Sequence, residues 1–308
     1  MARRGKVSIV GMGTVGTAIA YACLIRGSAR ELALYDVNAK KVRAEVLDLN
    51  HGSPFVPPCR VTGGDDLAVT AESTIVIVTA GAKQHPGQSR LDLASTNVAM
   101  ARKLIPQLFE QSPHAVVVMV TNPVDVVTCA AVNAVDAPRG RVFGSGTVLD
   151  SSRFRHLIAA RAGIAVENVH GFIVGEHGDS EIPVWSAVTV GGVPAAEVFD
   201  QVAQEQISSE VVNAAYEIIA GKGATNLAIG LSTARIIEAI MGDQHRVLPV
   251  STVQSGAYDI DGVALSLPTV VSASGAGRVL QVRLSDDELA GLHRSAKTLT
   301  EAGRSLGL

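Results

Sequence analysis

Aromatic residues are scarce in this sequence, 4% of 308 residues with a single tryptophan. The apolar mass, 47% of the chain, is therefore carried mainly by Val, Ala, Leu and Ile. That bias favours parallel sheets packed by alanine-rich helices over a β-sandwich. Charge is sparse as well, at 18% with a formal net charge of −3, so nothing drives the chain toward nucleic acid or an anionic membrane. Cys23, Cys59 and Cys129 are scattered without metal-ligand spacing, so they read as reduced core thiols, and no metal centre is expected. Long hydrophobic runs are missing too. Val7–Val10 is four residues long and runs into Gly11, too short for an export signal or a membrane span, so a soluble, cytoplasmic chain is expected.

What is present falls into two patterns. In the first half, short apolar runs at Val7–Val10, Glu31–Tyr35, Thr74–Ala80 and Val116–Val120 alternate with helical stretches such as Val15–Arg26 and Asn97–Phe109. Runs apolar throughout fit strands covered on both faces, and their alternation with helices predicts a doubly wound parallel sheet. Beyond about residue 145, long helices near 150–162, 200–220 and 226–241 mix with hairpin signals. Val184–Val190 leads into Gly191-Gly192, and Val263–Leu267 follows Asp261-Gly262. The expectation is an α/β chain, with a Rossmann sheet over 1–145 and an α+β substrate domain with antiparallel strands over 146–308. Ser285 and Glu288 form a capping box before a helix whose Leu289, Leu292, Ala296 and Leu299 share one face.

Gly11-Met12-Gly13-Thr14-Val15-Gly16 follows a strand and opens a helix. Glycines at this spacing permit a tight turn, close backbone approach to a pyrophosphate and close helix–strand packing, while the helix N-terminus offers N–H groups to phosphate. Asp36 ends the next strand, 20 residues after Gly16. A carboxylate there accepts from both ribose hydroxyls and repels a 2′-phosphate, which favours NAD over NADP.

Gly175-Glu176-His177-Gly178-Asp179 follows the apolar run Phe172–Val174. Flanking glycines leave room for a ligand at His177, and an imidazole can give and take a proton near neutral pH. Asp150 and Arg153 share a helix face at i, i+3. They fit two readings equally well: an N-terminal acid with a surface ion pair, or a carboxylate that holds an imidazole beside a guanidinium that grips a substrate carboxylate.

Further motifs are Thr79-Ala80-Gly81-Ala82, Gln84-x-Pro86-Gly87-x-x-Arg90, Thr121-Asn122-Pro123-Val124-Asp125, Gly144-Ser145-Gly146-Thr147-x-Leu149-Asp150-x-x-Arg153-Phe154-Arg155 and Gly221-Lys222-Gly223-Ala224-Thr225. On these, together with the glycine and His177 motifs, the sequence resembles the lactate/malate dehydrogenase family over essentially its whole length. The resemblance is to the bacterial lactate-type branch. It implies reversible hydride transfer between NADH and pyruvate giving L-lactate. His177 is then the proton donor and acceptor, paired with Asp150, and Arg153 binds the substrate carboxylate. Arg90, on a closing loop, polarises the carbonyl. Asn122 bonds substrate and cofactor. Ala80 and Gly81 join Gly11, Met12, Gly13, Val15, Gly16 and Asp36 around the cofactor, and Ile229 stands behind the nicotinamide.

By the same resemblance, Gln84 and Thr225 face the substrate side chain. A malate-type relative would carry arginine at Gln84, so a neutral side chain there leaves a second carboxylate unpaired and favours pyruvate. Asn226-Leu227 depart from the aromatic residues that relatives often carry, which leaves room for a broader 2-hydroxy-acid dehydrogenase. Arg155 and His170 match positions that bind fructose 1,6-bisphosphate at a subunit interface in bacterial relatives, and the family implies a homotetramer. A catalytically silent dinucleotide-binding sensor is the contrasting expectation, although it would have lost at least one of these reactive groups.

Overall fold

The computed structural model describes residues 5–82 and 91–308, and of residue 90 the backbone alone. Gln84 lies outside the described residues, as does the side chain of Arg90.

Six strands of the first half run parallel: β1 (Lys6–Val10), β2 (Glu31–Tyr35), β3 (Arg60–Gly64), β4 (Ile75–Val78), β5 (Val116–Met119) and β6 (Val142–Gly144). Their spatial order is β3-β2-β1-β4-β5-β6. Helices α1 (Thr14–Arg26), α2 (Ala39–His51), α3 (Arg90–Gln111) and α4 (Val124–Asn133) lie between them in sequence. The strand order reverses between β1 and β4, and such a reversal opens a crevice at the carboxyl ends of the strands.

Side-chain alternation explains why the strands are apolar throughout. Ile75 and Ile77 of β4 join a core that contains Ile19 of α1, whereas Val76 and Val78 join one that contains Val98 of α3 and Val127 of α4. Both faces are covered, and each such side chain contributes about 1.5–3 kcal/mol of burial. Edge strand β3 needs cover only where it meets β2, and Val61 is its one buried residue. A pattern search for apolar runs passes over it.

The second half contributes α5 (Val148–Ala162), five two-residue strands β7 (Val169–His170), β8 (Ile173–Val174), β9 (Ile182–Pro183), β10 (Thr189–Val190) and β11 (Val193–Pro194), then α6 (Gln201–Lys222) and α7 (Leu227–Met241). Long antiparallel strands β12 (Arg246–Ala257) and β13 (Ile260–Ser272) follow, with β14 (Gly275–Val279) and α8 (Asp286–Ser305). The expected mixture of parallel and antiparallel strands is present, with one addition. β12, β13 and β14 extend the parallel sheet itself to nine strands, joined where Ser251 pairs with Gly144. Helix α7 packs so closely on α1 that a Cβ on Gly230 would lie 2.8 Å from the Ala18 carbonyl.

Two hairpin expectations need correction. Val184–Val190 is not one strand: Trp185–Ala187 forms a 3₁₀ turn, and only Thr189–Val190 pairs across Gly191-Gly192 with β11. The Trp185 ring packs edge-on against Phe154 at 4.8 Å, and its Nε1 donates to Ser208 Oγ at 2.9 Å. These anchors pull the segment out of extended geometry. The turn before Val263–Leu267 is made by Tyr258-Asp259 (φ 52° and 59°), not by Asp261-Gly262. Two successive left-handed residues match the twist of a tight hairpin, and Gly262 (φ 72°) lies inside β13 instead. The capping box of α8 is formed in both directions; of the apolar face read from the sequence, Leu292, Ala296 and Leu299 are buried, whereas Leu289 in the first turns is only half-buried.

Candidate active site

At the carboxyl end of β1 the chain turns on glycines with different jobs. Gly11 has φ +98°, and a Cβ there would sit 2.5 Å from the Ala80 nitrogen. At Gly16 it would sit 2.0 Å from the Gly11 carbonyl, so glycine is what lets α1 rest on the turn. Gly13, the N-cap of α1, differs: a Cβ there would meet nothing within 4 Å. The open ground lies where the unpaired N–H groups and the positive end of the helix dipole favour an anion.

That ground belongs to a cleft of about 960 Å³ lined by Gly11, Gly13, Val15, Asp36, Ala80, Gly81, Asn122 and Thr225, among others. Asp36 is fixed at its rim, accepting from Met12 N–H at 2.7 Å through Oδ2 and from Asn38 N–H at 3.0 Å through Oδ1. Each carboxylate oxygen keeps a lone pair for a further donor. Met12, Gly16 and Ile229 stand behind the wall: the first two are buried, and Ile229 packs on the core with α1. Val37, 84% exposed beside Asp36, also lines the cleft and escaped pattern reading. Its signal is an exposed apolar side chain with no core to join.

A buried asparagine, also unforeseen, braces the far side. Asn97 of α3 accepts from Ala82 N–H at 2.8 Å and donates to the Asn122 carbonyl at 2.7 Å, tying the chain after β4 to the chain after β5. Three residues beyond Asn122, Asp125 is 2% exposed. Its Oδ2 accepts the His177 backbone N–H at 2.7 Å, and its Oδ1 accepts from Ser251 Oγ at 2.5 Å. Burial pushes this carboxyl up to about 6. The sequence sets Asp125 in a motif but carries no sign that it seats the histidine turn against α4.

The His177 ring contacts the first turns of α5. Nδ1 lies 2.6 Å from Asp150 Oδ2, and Arg153 Nη1 donates to Asp150 Oδ1 at 2.7 Å. Asp150 is buried; burial raises its pKa, but the neighbouring imidazole and guanidinium outweigh that and hold it below the usual carboxylate range. The Asp150 charge pushes the His177 imidazole up to about 9 against the opposing effect of burial. Donation from Nδ1 to Asp150 leaves Nε2 free for a reacting group. The structure has features of both readings left open for Asp150 and Arg153: the acid holds the imidazole, and it also forms the i, i+3 ion pair with Arg153, in a buried rather than a surface setting.

A second carboxylate joins them. Potential ligand atoms of Asp150, His177 and Glu181 lie within 4.8 Å of one another, and burial, followed by the Asp150 charge, pushes Glu181 up to about 8. Sequence reading passed over Glu181. Arg155 and His170 are not members of this cluster. Arg155 donates from Nε to the Ser151 carbonyl at 3.2 Å, and burial, then the charge of Arg235, lowers its pKa; His170 is exposed on β7.

Residues 5–144 match the family described as lactate/malate dehydrogenase, NAD binding domain, and residues 147–305 match lactate/malate dehydrogenase, alpha/beta C-terminal domain. The chain belongs to the lactate/malate dehydrogenase family. NAD binding comes with that first domain, and the glycine cleft fits such a group: open space lies at Gly13 beside the helix N-terminus, and the Asp36 carboxylate at the rim keeps lone pairs for further donors. Among its relatives in the lactate/malate dehydrogenase family, an L-lactate dehydrogenase of Bifidobacterium animalis subsp. lactis is 47% identical over 98% of this chain and 97% of that protein. An L-lactate dehydrogenase B-B chain of Danio rerio is 45% identical over 98% of this chain and 93% of its own. Among solved structures, a lactate dehydrogenase from a Medee basin deep-sea metagenome library superposes with a TM-score of 0.96 at 35% identity, covering 99% of this chain and 100% of that one. The minor L-lactate dehydrogenase of Enterococcus mundtii gives 0.95 at 38% identity, covering 97% and 98%.

Proposed function

We propose that this protein is an NAD-dependent L-lactate dehydrogenase in which His177 donates the proton for pyruvate reduction. The observation that carries the reading is the 2.6 Å bond from His177 Nδ1 to Asp150, which fixes the ring and keeps it cationic beside Arg153. NADH, when bound in the cleft, supplies the hydride. Arg153 grips the pyruvate carboxylate; one of its five N–H donors is used on Asp150, which leaves a pair for a bidentate contact. His177 transfers the Nε2 proton to the carbonyl oxygen as that oxygen gains charge, and recovers a proton from solvent after release. Oxidation of lactate runs the same path backward, with neutral His177 as the base.

Asn122 holds the carbonyl region, and Arg90 closes over the substrate to stabilise the growing alkoxide, as the family resemblance implies. Gln84 and Thr225 set the preference for a methyl side chain. Residues 1–145 serve the cofactor and 146–308 the substrate, a division supported by the extents of the two family matches. Arg155 and His170 are proposed as the fructose 1,6-bisphosphate site of a cytoplasmic homotetramer. In support of the first, Arg155 stands beside a second cation, Arg235. Among the described residues no helix is long and apolar enough to cross a membrane.

Purified protein given NADH should oxidise it with pyruvate at a higher kcat/KM than with oxaloacetate. The opposite order would reassign the substrate to the dicarboxylic member of the pair. Addition of fructose 1,6-bisphosphate should lower the pyruvate KM, and no change in KM or oligomer size would remove the effector.

A further inference from the structure

Glu181 has no part in the proton transfer just described, yet it sits against it. One of its carboxylate oxygens lies within 4.8 Å of both an Asp150 oxygen and a His177 nitrogen. The side chain is half-buried, and no hydrogen bond reaches its carboxylate among the described residues. An ionised carboxylate left so would face Asp150 at close range without a hydrogen-bond donor of its own, with only the charge of the nearby His177 and Arg153 to offset the repulsion.

The groups around Glu181 come from several elements. Helix α5 brings Asp150 and Arg153, and the turn between β8 and β9 brings His177 and Glu176, whose carboxylate accepts from Ser180 Oγ. Helix α4 brings Asp125 to the backbone of His177. Helix α8 packs on Ile182 through Gly291 and sends the uncharged Ser295 Oγ to Glu176 N–H at 2.8 Å. From α6, Tyr216 donates to Asp179 at 2.6 Å. Around Glu181, then, Arg153 and the His177 cation are two positive charges already shared with Asp150.

We propose that Glu181 is a charge gate for the substrate carboxylate: as a neutral acid it lets an anion settle on Arg153, and as a carboxylate it claims that guanidinium and repels the anion. It is a positioning residue. The proton it carries comes from water and returns to water, and no bond of the substrate changes on its account. The inference rests on the proposed function, in which Arg153 receives an anionic substrate. Its titration near pH 8 lies below that of His177, so the gate closes before the proton donor is lost.

The test is the pH dependence of kcat/KM for pyruvate with saturating NADH. Two groups must be protonated in the enzyme–NADH complex that pyruvate meets, so the logarithm should begin to fall near pH 8 and steepen above about pH 9 to a slope near two. By pH 9 the gate alone should remove about tenfold of kcat/KM. Glu181→Gln cannot ionise, so its profile should fall with a slope of one and lack that tenfold loss. Glu181→Asp keeps an acid in place and should restore the steeper fall. A wild-type slope of one overturns the gate without recourse to any variant. So does a Glu181→Gln profile that matches the wild type. An enzyme that fails to reduce pyruvate at any pH removes the proposed function and the gate together, whereas an active enzyme with a single deprotonation removes the gate alone.

Discussion

The cleft at the glycine turn and the cluster around His177 solve opposite problems. The first is built mostly from one continuous stretch, Gly11 to Asp36, and its key property is space. The second is assembled from Asp125, Asp150, Arg153, His177 and Glu181, which lie on three separate segments, and its key property is charge held close together in a largely buried setting. What the contrast teaches is where each site is vulnerable. The cleft should fail through shape, and the cluster through protonation.

The largest expected effect tests that division directly. His177→Asn removes the proton donor and should cost about 10²–10⁴-fold in kcat, while the NADH dissociation constant stays within a few-fold of the wild type. Loss of both would mean that the two regions are not separable. Next comes shape. Gly16→Ala places a Cβ 2.0 Å from the Gly11 carbonyl, so α1 must lift from the turn. The expected cost is about 1–3 kcal/mol of stability, read as a fall in Tm, with NADH binding weakened as well. Gly13→Ala adds the same methyl group where nothing lies within 4 Å. It should keep its Tm and still bind NADH about tenfold more weakly, because the methyl occupies the ground kept for pyrophosphate. Equal behaviour of the two alanine variants would break the account of the cleft. The smallest effect is expected at the rim, where Asp36→Asn removes the charge that repels a 2′-phosphate. NADPH should gain on NADH by about tenfold in kcat/KM.

How much of this was legible in the sequence follows the same division. The cleft was readable because a glycine at 11 or 16 announces a backbone demand that no other residue meets, and because strand, turn and helix follow one another without interruption. Asp36 was readable by position. His177 and its partners gave themselves away through motif resemblance, whereas spacing alone left Asp150 and Arg153 open to an ordinary ion pair. Asn97 and Glu181 carry no local signal, and Asp125 stands in a motif that does not disclose its part. Each acts only because packing brings it to another segment, and burial then changes its chemistry. The fold shows a parallel case. Pro249 and Pro268 sit opposite each other in the β12–β13 ladder, and proline argues against a strand interior in any one-dimensional reading. Only the pairing of the two strands, and the Ser251–Gly144 link that adds them to the parallel sheet, reveals that a single sheet runs through both halves.

The charge cluster makes a stability prediction with a definite sign. His177 has its pKa raised on folding from 6.5 to about 9. The pairing with Asp150 therefore stabilises the fold fully below pH 6.5 and loses that contribution as the pH rises through about 9. Across that window the Tm of the wild type should decline more than that of Asp150→Asn, in which the imidazole has no anion to hold it charged. Parallel declines would show that the pair contributes nothing to the fold.

The protonation state of one ring underlies both the proton transfer and the stability window. NMR titration of the histidine rings, with His177 identified by its loss in His177→Asn, measures it without turnover. The expected result is an imidazole that stays cationic to about pH 9 in the wild type and titrates well below that in Asp150→Asn. A wild-type midpoint near 6.5, or one that Asp150→Asn leaves in place, would contradict the claim that Asp150 holds His177 ready to donate.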